Sequence, residues 1–341
     1  MNFNKREISI LFIGFLCLFI SFYFDVNPTI KEFYLFGAEQ IIEGKIPYKD
    51  FQTIFAPAVF YFNALILFVF SNSLSALSVV YLFISFFISL IIYWLARDYL
   101  NSAKAFFPFF VSIICLVFFP MFGSSVLLGL VLILLAAVFL FRYYDNMKLQ
   151  KSKLTQIIPI GICVGLLGIT RQDMASYMYG LFFWAMFWAG IANVEGQGLS
   201  ILQRAVRGFG QGVFFTVIVF FTFVPFAIYF ISIVGIDNLY SQIIEIPLTV
   251  FREENSIPFP TPFYFLPVFI AILSAFIIFI KHRKKLIKTN TPIFWKEVLI
   301  INLTLNIFNY ALIISDLQHL IPSIIFASML CPNIFGCTRS T

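Results

Sequence analysis

The acids of this chain that are best placed for chemistry lie in one polar stretch between the first two apolar segments. The stretch runs from residue 32 to residue 61 (EFYLFGAEQIIEGKIPYKDFQTIFAPAVFY) and contains Glu32, Glu39, Glu43 and Asp50. A carboxylate close to lipid is costly unless water or a cationic partner meets it. Acids at this density therefore predict a site at a membrane surface.

A second polar group interrupts an apolar run further along the chain. Arg171, Gln172 and Asp173 stand between Ile169 and Met174. An Arg and an Asp two positions apart at the end of a short apolar segment can hold an anionic headgroup or each other. Charged side chains at the depth of a membrane are rare and usually belong to binding or catalytic sites, so this group favours a functional role.

The third polar group is SDLQHL, in which Asp316 and His319 are three residues apart and share a face if the segment is helical. Such a pair permits metal ligation, but two ligands make a weak signal. A structural pair is equally compatible with this spacing. We predict no cofactor and leave a divalent metal open.

For the acids of residues 32–61, a solvated helix face without function is also compatible with the charge pattern.

The composition places these groups in a membrane protein. Of 341 residues, 61% are hydrophobic, 20% aromatic and 11% charged, with a mean hydropathy of +0.97. An ordinary soluble domain carries roughly 25% charged residues. The chain is therefore predicted to be all-α, a polytopic transmembrane helix bundle of about nine to eleven apolar segments in a single domain, 1–341. The lipid bilayer is thus one of its partners.

The basic residues predict the orientation of the bundle. The net charge is +6, but Lys and Arg lie in short loops and form no single patch, so nucleic acid is not a predicted partner. The basic loops 142–153 and 281–288 are expected to face the cytoplasm. Residues 25–54 then form the first extracytoplasmic loop, and 171–173 and 315–319 lie on the same outer side. The predicted localisation is multi-pass, in the inner or plasma membrane.

The apolar segments can be placed along the chain by length and hydropathy. They are 8–24, 55–71, 76–96, 106–119, 125–141, 156–170, 174–192, 209–234, 262–280, 297–314 and 319–335. Five of them precede the basic loop at 142, an odd number that would put this loop outside. We expect the short segment 106–119, interrupted by Pro108, to be re-entrant and not to cross.

The first outer loop itself predicts an amphipathic helix over residues 29–44. Glu32, Glu39 and Glu43 fall on one face, and Gly44 is a stop signal. The apolar face holds Ile30, Tyr34, Ala38, Ile41 and Ile42. Such a helix lies along the membrane surface with its acids toward water.

Three stretches together resemble a known superfamily. They are EFYLFGAEQIIEGKIPYKDFQTIFAPAVFYFNALILFVF from residue 32, ITRQDMASY from residue 169 and SDLQHLIP from residue 315. In order and spacing, over about residues 1–325, they are similar to the polytopic glycosyltransferases of the GT-C superfamily. Within it they resemble bacterial enzymes of the protein O-mannosyltransferase and aminoarabinose transferase type.

The resemblance implies a reaction and its partners. Such enzymes take a sugar from a polyprenyl-phosphate carrier at the outer membrane face and pass it to a lipid, glycan or protein acceptor. It implies an inverting displacement, with Glu32 and Asp50 as the catalytic acids and a carboxylate as general base. The residues implied to bind substrate or phosphate are Tyr48, Lys49, Arg171, Gln172, Asp173, Asp316 and His319.

The sequence departs from the pattern of that superfamily in two places. Lys31 stands where many relatives have an Asp before the Glu, and the chain ends soon after His319, where relatives continue through further spans. The second departure predicts a C-terminally shortened product. Two other interpretations remain: a polytopic transporter, and a non-catalytic membrane protein left from an enzyme. Transporters place their sites near the bilayer midplane, whereas these ions gather at one face.

Overall fold

The structure is a computed structural model that describes residues 4–24, 32–119, 121–148, 153–192, 200–251, 262–283, 291–312 and 317–334. The predictions for Asp316, and the comparison made at Lys31, lie outside these residues. Within them the fold is helical and contains no strand, only an isolated bridge between Pro47 and Phe51. The predicted all-α fold class is confirmed.

The helices follow the predicted apolar segments closely. They are α1 Lys5–Phe24, α2 Glu32–Ile42, α3 Ala58–Val69, α4 Leu74–Tyr99, α5 Ser102–Phe118, α6 Ser125–Lys148, α7 Ile158–Thr170, α8 Gln172–Ala192, α9 Ile201–Val234, α10 Ile236–Tyr240, α11 Leu266–Arg283, α12 Pro292–Ala311 and α13 Leu317–Ile334. A π-helical stretch, Ser241–Glu245 and Pro247–Phe251, follows α10. Short 3-10 turns precede α7 and α11.

Six helices of the described residues are long and apolar enough to cross a membrane. They are those at Lys5–Tyr23, Leu74–Tyr99, Ser125–Met147, Gln172–Ile191, Ile201–Val234 and Phe263–Lys281. In the apolar stretch of α6, 67% of the residues are buried, against 11% in α9. Helix α6 is therefore central, while α9 presents most of its surface outward.

Helix α2 has the amphipathic character that the sequence predicts. It buries Tyr34, Gly37 and Ala38, while Glu32 and Glu39 are exposed. It ends just before Gly44, whose φ of +85° lies in the left-handed region that glycine adopts without strain. Among the apolar residues of the prediction, Ile42 differs, because it is exposed beside this turn.

Polar contacts gather at the two ends of the bundle. At one end, Lys296 near the start of α12 donates to Asp98 at the end of α4 and to Asp145 near the end of α6, at 2.7 Å for Oδ1 of Asp145. Glu7, near the start of α1, accepts a hydrogen bond of 3.0 Å from Tyr93 of α4. We call this the Lys296 end.

The opposite end contains Arg171, between α7 and α8, and Ser125 at the start of α6. The Arg171 guanidinium donates to Ser125 Oγ at 3.1 Å. Nearby, the Asn63 side chain of α3 donates to the carbonyl of Gly123 at 3.0 Å and accepts from Tyr81 at 2.8 Å. We call this the Arg171 end.

The contacts at the two ends show that α5 runs the length of the bundle. It begins at the Lys296 end, where Ser102 hydrogen-bonds to Glu7, and its far end leads to Gly123 at the Arg171 end. Pro108 lies inside the helix without ending it. These contacts favour a crossing helix over the re-entrant segment predicted at 106–119. Proline is tolerated within such a helix because its neighbours satisfy the freed backbone groups.

Helix α3 is the apolar segment that stays at one end. Phe22 near the end of α1 contacts Phe122, at 6.1 Å between ring centroids, so α1 reaches the Arg171 end. Helix α4 starts there, with Tyr81 on Asn63, and finishes at the Lys296 end. The end of α1 and the start of α4 thus lie at the same end of the bundle. The chain between them, which contains α2 and α3, makes no net crossing of the bundle. The 12 residues of α3 span about 18 Å, short of a hydrocarbon core of about 30 Å.

Close packing of α8 on α9 fixes the helix that begins at Gln172. A Cβ on Gly208 would lie 2.3 Å from the carbonyl oxygen of Phe187, and one on Gly190 would lie 2.4 Å from the Cα of Gly208. Small residues at such a crossing let two helices approach closely within a membrane. Helix α8 is thereby held against α9 along its length.

Replacing Lys296 with methionine is expected to lower the free energy of unfolding by about 1.5 kcal/mol, less than for a fully buried ion pair because the two carboxylates left behind are 33% and 46% exposed. Lys296 is 3% exposed, and its loss leaves the carboxylates of Asp98 and Asp145 close together. Thermal unfolding in detergent measures the change. The control is the triple variant Lys296→Met, Asp98→Asn, Asp145→Asn, which removes all three charges and should recover stability. A single variant as stable as the wild type would show that the ion pairs contribute nothing.

Candidate active site

Arg171 lies at a break between two helices. Helix α7 ends at Thr170, Arg171 is extended with φ −157° and ψ 93°, and α8 begins at Gln172. Asp173 follows in the first turn of α8, where its carboxylate accepts the backbone N–H of Met174 at 2.8 Å. An acid in this position is stabilised by the helix dipole. The RQD sequence thus places a cation and an anion side by side at a helix start.

The guanidinium of Arg171 is bound by partners from three helices. Its Nε donates to Asp173 at 3.1 Å. One terminal nitrogen, NH2, donates to Asp173 Oδ2 at 3.2 Å and meets Nε2 of His319 at 3.0 Å, and the other, NH1, donates to Ser125 Oγ at 3.1 Å. A guanidinium has five N–H groups. Four are used in these contacts, and one N–H of NH1 has no acceptor among the described residues.

Arg171 is a buried cation whose carboxylate partner is not fully buried. It is 2% exposed, whereas the Asp173 side chain is 37% exposed. Burial lowers the pKa of the guanidinium, but the Asp173 carboxylate and neighbouring groups raise it by more, and the net shift is upward. Arg171 therefore stays charged. The rings of Phe55 and Tyr310 lie 5.7 Å and 5.3 Å from its Cζ atom, where cation–π attraction adds to the binding.

His319 brings the third predicted stretch to this point. It lies in the first turn of α13, is buried, and packs against Tyr310 with 5.4 Å between ring centroids and 56° between the ring planes. Since a guanidinium only donates, Nε2 of His319 must accept in this contact. The imidazole that faces Arg171 is therefore the neutral form with its proton on Nδ1.

Helix α2 is joined to the same group through two hydroxyls. Ser125 Oγ lies 2.9 Å from the hydroxyl of Tyr34, which projects from α2. Glu32 is two positions before Tyr34, and residues two apart on a helix do not share a face. Glu32 is accordingly exposed and makes no hydrogen bond or ion pair within the described part of the chain. Its carboxylate lies on the exposed side of the helix that is joined to Arg171 through Tyr34 and Ser125.

Gln172 joins α8 to the loop that follows α2. Its side-chain amide donates to the backbone carbonyl of Ile54 at 2.7 Å. In the same loop the Tyr48 hydroxyl donates to the carbonyl of Phe55 at 2.8 Å, and Gln242 from beyond α9 donates to the Tyr48 carbonyl at 2.9 Å. These bonds fix the loop that presents Phe55 to Arg171.

The remaining predicted residues of the loop are not in contact with Arg171. Tyr48 is buried against Phe230, and burial raises the pKa of its phenol, which therefore remains a hydrogen-bond donor. Asp50 is exposed and its carboxylate accepts the N–H of Ile46 at 2.8 Å, which closes the turn. Lys49 is also exposed. The structure thus brings Arg171, Asp173 and His319 into contact and leaves Asp50 and Lys49 at the surface.

An apolar groove adjoins this end between α3, α7 and α9. It has a volume of about 510 Å³, and its walls include Tyr61, Ile169 and Phe226. A smaller cavity of about 70 Å³ shares Ile169 and Phe226 with it and has Gln172 in its wall. The groove thus leads from the outer side of the bundle toward the start of α8.

Sequence reasoning missed three residues of this group: Ser125, Tyr34 as a hydrogen-bonding residue, and Tyr310. Ser124 and Ser125 look alike in the sequence, yet Ser124 Oγ accepts the N–H of Val126 at 3.1 Å as a local cap, and Ser125 meets Arg171. No local pattern separates the two. Within the described ranges, no three His, Cys, Asp or Glu residues are grouped so that they could hold a metal ion.

Comparison with solved structures identifies the fold as a GT-C fold. Archaeal oligosaccharyltransferase AglB from Archaeoglobus fulgidus, in complex with an inhibitory peptide and a dolichol-phosphate, is similar with a TM-score of 0.59 and 12% identity over 97% of this chain. The Archaeoglobus fulgidus oligosaccharyltransferase in the apo form gives 0.58, with 12% identity over 97%. Its complex with Zn and sulfate gives 0.53, with 12% identity over 96%.

This chain spans about half the length of those structures, 50% of the first two and 49% of the third. No family model matches the sequence, and no curated protein matches it. At 12% identity the likeness shows the fold. The GT-C resemblance read from the three sequence stretches is confirmed at this level.

Proposed function

We propose that the chain is a membrane glycosyltransferase that moves a sugar from a polyprenyl-phosphate donor to a lipid, glycan or protein acceptor at the extracytoplasmic face. The observation that carries the proposal is the buried guanidinium of Arg171 at one end of the bundle, one N–H of which has no acceptor among the described residues. A fixed, desolvated cation of this kind suits a phosphate whose charge increases as it leaves.

Each stretch has a role in the proposed reaction. The acceptor hydroxyl gives its proton to Glu32, its oxygen attacks the anomeric carbon, and the bond between that carbon and the phosphate oxygen breaks. Polyprenyl phosphate leaves toward Arg171. In an inverting displacement the nucleophile and the leaving group lie on opposite sides of the carbon. The water-facing position of Glu32 and the buried position of Arg171 are compatible with that requirement.

Other predicted residues support this arrangement in the proposal. His319 and Asp173 hold the guanidinium, and Asp316 lies three positions before His319 in the sequence. Gln172 and Tyr48 fix the loop through backbone carbonyls, and Lys49 and Asp50 at the surface meet the incoming substrates. The apolar groove beside Gln172 suits the hydrocarbon tail of the donor. In the two-substrate site, the loop after α2 lies between donor and acceptor.

Lipid analysis of cells with and without the gene tests the proposal. We expect a polyprenyl-linked sugar to accumulate when the gene is deleted, because its consumption stops, and to return to the original level on complementation with the wild-type chain. Mass spectrometry of extracted lipids measures the change. Cells that show the same lipid-linked sugars and the same glycans in both states would contradict the proposed function.

A further inference from the structure

A chain of two hydroxyls connects the cation of the site to helix α2. Ser125 is fully buried at the start of α6, and its Oγ lies 3.1 Å from NH1 of Arg171 and 2.9 Å from the hydroxyl of Tyr34. Tyr34 is 3% exposed. Since Arg171 only donates, Ser125 Oγ accepts from it and keeps its own O–H and a second lone pair, either of which can bond the Tyr34 hydroxyl.

We propose that Ser125 and Tyr34 are positioning residues, which set the direction of the unused Arg171 N–H and hold α2 in register with it. The proposal rests on the proposed function, since it assigns that N–H to the phosphate of the donor. Arg171 NH1 carries both the Ser125 bond and the N–H that has no acceptor among the described residues. Because the guanidinium is planar, the Ser125 bond acts with those to Asp173 and His319 to set the direction of that N–H. Hydrogen bonds within such a chain strengthen one another in a medium of low dielectric.

The packing of α2 makes Tyr34 its main polar attachment to the site. The helix packs on α3, and its aromatic residues contact Phe55 and Phe60, with 5.4 Å between the ring centroids of Tyr34 and Phe55. These ring contacts are apolar and set no unique angle. The Tyr34 hydroxyl bond to Ser125 adds direction, and it does so on the helix that begins with Glu32.

The test uses undecaprenyl phosphate as the probe, with the full chain in nanodiscs. We expect Ser125→Ala to weaken the affinity for undecaprenyl phosphate by about tenfold, as the loss of a hydrogen bond to a charged group predicts. Tyr34→Phe removes a bond between two neutral hydroxyls and should weaken the affinity by about fivefold. Affinity for undecaprenol, which has no phosphate, should stay within about twofold, since a change of one hydrogen bond affects only the charged head. Ser125→Thr keeps the hydroxyl and should retain most of the affinity.

A double-mutant cycle separates a connected chain from two independent effects. If Tyr34 acts through Ser125, Tyr34→Phe adds no further loss in the Ser125→Ala background. Ser89→Ala is the matched control, because Ser89 is fully buried and donates only to the carbonyl of Ser85 in its own helix, at 3.2 Å. The affinity of Ser89→Ala for undecaprenyl phosphate should equal that of the wild type.

Each of three results would overturn the proposal: unchanged phosphate affinity in both single variants, an equal loss of undecaprenol affinity, or fully additive losses. Arg171→Ala in the same assay distinguishes the two levels of the argument. If that variant binds undecaprenyl phosphate as the wild type does, the proposed function fails. If it loses binding while Ser125→Ala and Tyr34→Phe retain it, only the positioning role fails.

Discussion

Replacing Arg171 with alanine is expected to reduce sugar transfer about a thousandfold, the upper end for removal of one donor to a developing oxyanion. The change removes the only cation that the described residues place among Asp173, His319 and Ser125. It takes away both the charge and the fixed N–H groups. Release of polyprenyl phosphate in membranes, relative to the amount of folded protein, measures the effect.

Two variants control this prediction. Arg171→Lys keeps the charge but lacks the planar set of donors, so transfer should fall by about a hundredfold and not to the level of alanine. Arg142→Ala removes an exposed arginine that stacks on Trp94, with 4.8 Å between Cζ and the ring centroid, and should leave transfer unchanged. Transfer in Arg171→Ala that remains within tenfold of the wild type would contradict the role of this cation.

Replacing Glu32 with glutamine is expected to reduce transfer about a thousandfold, within the range for a general base, while leaving the affinity for undecaprenyl phosphate unchanged. The exposed carboxylate at the start of α2 has no partner within the described residues, so the change breaks no internal contact and should leave folding intact. Rate and affinity are measured on the same preparation.

Glu39→Gln is the matched control for this prediction. Glu39 is an exposed acid on the same helix, seven positions further along, and thus on a similar face. The Glu39→Gln variant should transfer sugar at the wild-type rate. If Glu32→Gln retains full activity, the base is another acid, and Asp50 in the following turn is the next candidate. Equal losses in both variants would show that net charge on α2 matters more than one carboxylate.

The sequence predicted the helical elements because apolar length is a strong and local signal. Each predicted segment corresponds to a helix, and Gly44 ends α2 as expected. The order of crossing was harder to predict. Segments 55–71 and 106–119 are both short and apolar, and only contacts across the bundle show that α3 stays at one end while α5 runs its length.

The candidate site was predictable in part for the same reason. Arg171, Asp173 and His319 interrupt apolar sequence. Because placing a polar or charged side chain near lipid costs free energy, these residues could be recognised as site candidates from the sequence alone. Ser125 and Tyr310 have ordinary hydropathy for their positions, and their role depends on which helix ends meet. Tyr48 is a different case: its hydroxyl donates to the Phe55 carbonyl, and its role in binding phosphate stays a prediction. The position of Tyr48 in the sequence motif does not show which group its hydroxyl bonds.

Photolabelling tests the central claim most directly. A polyprenyl phosphate analogue with a photoreactive group beside the phosphate is irradiated with the full chain, and mass spectrometry locates the label. We expect labelled peptides from the starts of α6, α8 and α13, which meet at Arg171, with loss of label in Arg171→Ala and in excess undecaprenyl phosphate. Label concentrated around Lys296 at the opposite end, or label at the Arg171 end that persists in Arg171→Ala, would contradict a phosphate site built on this guanidinium.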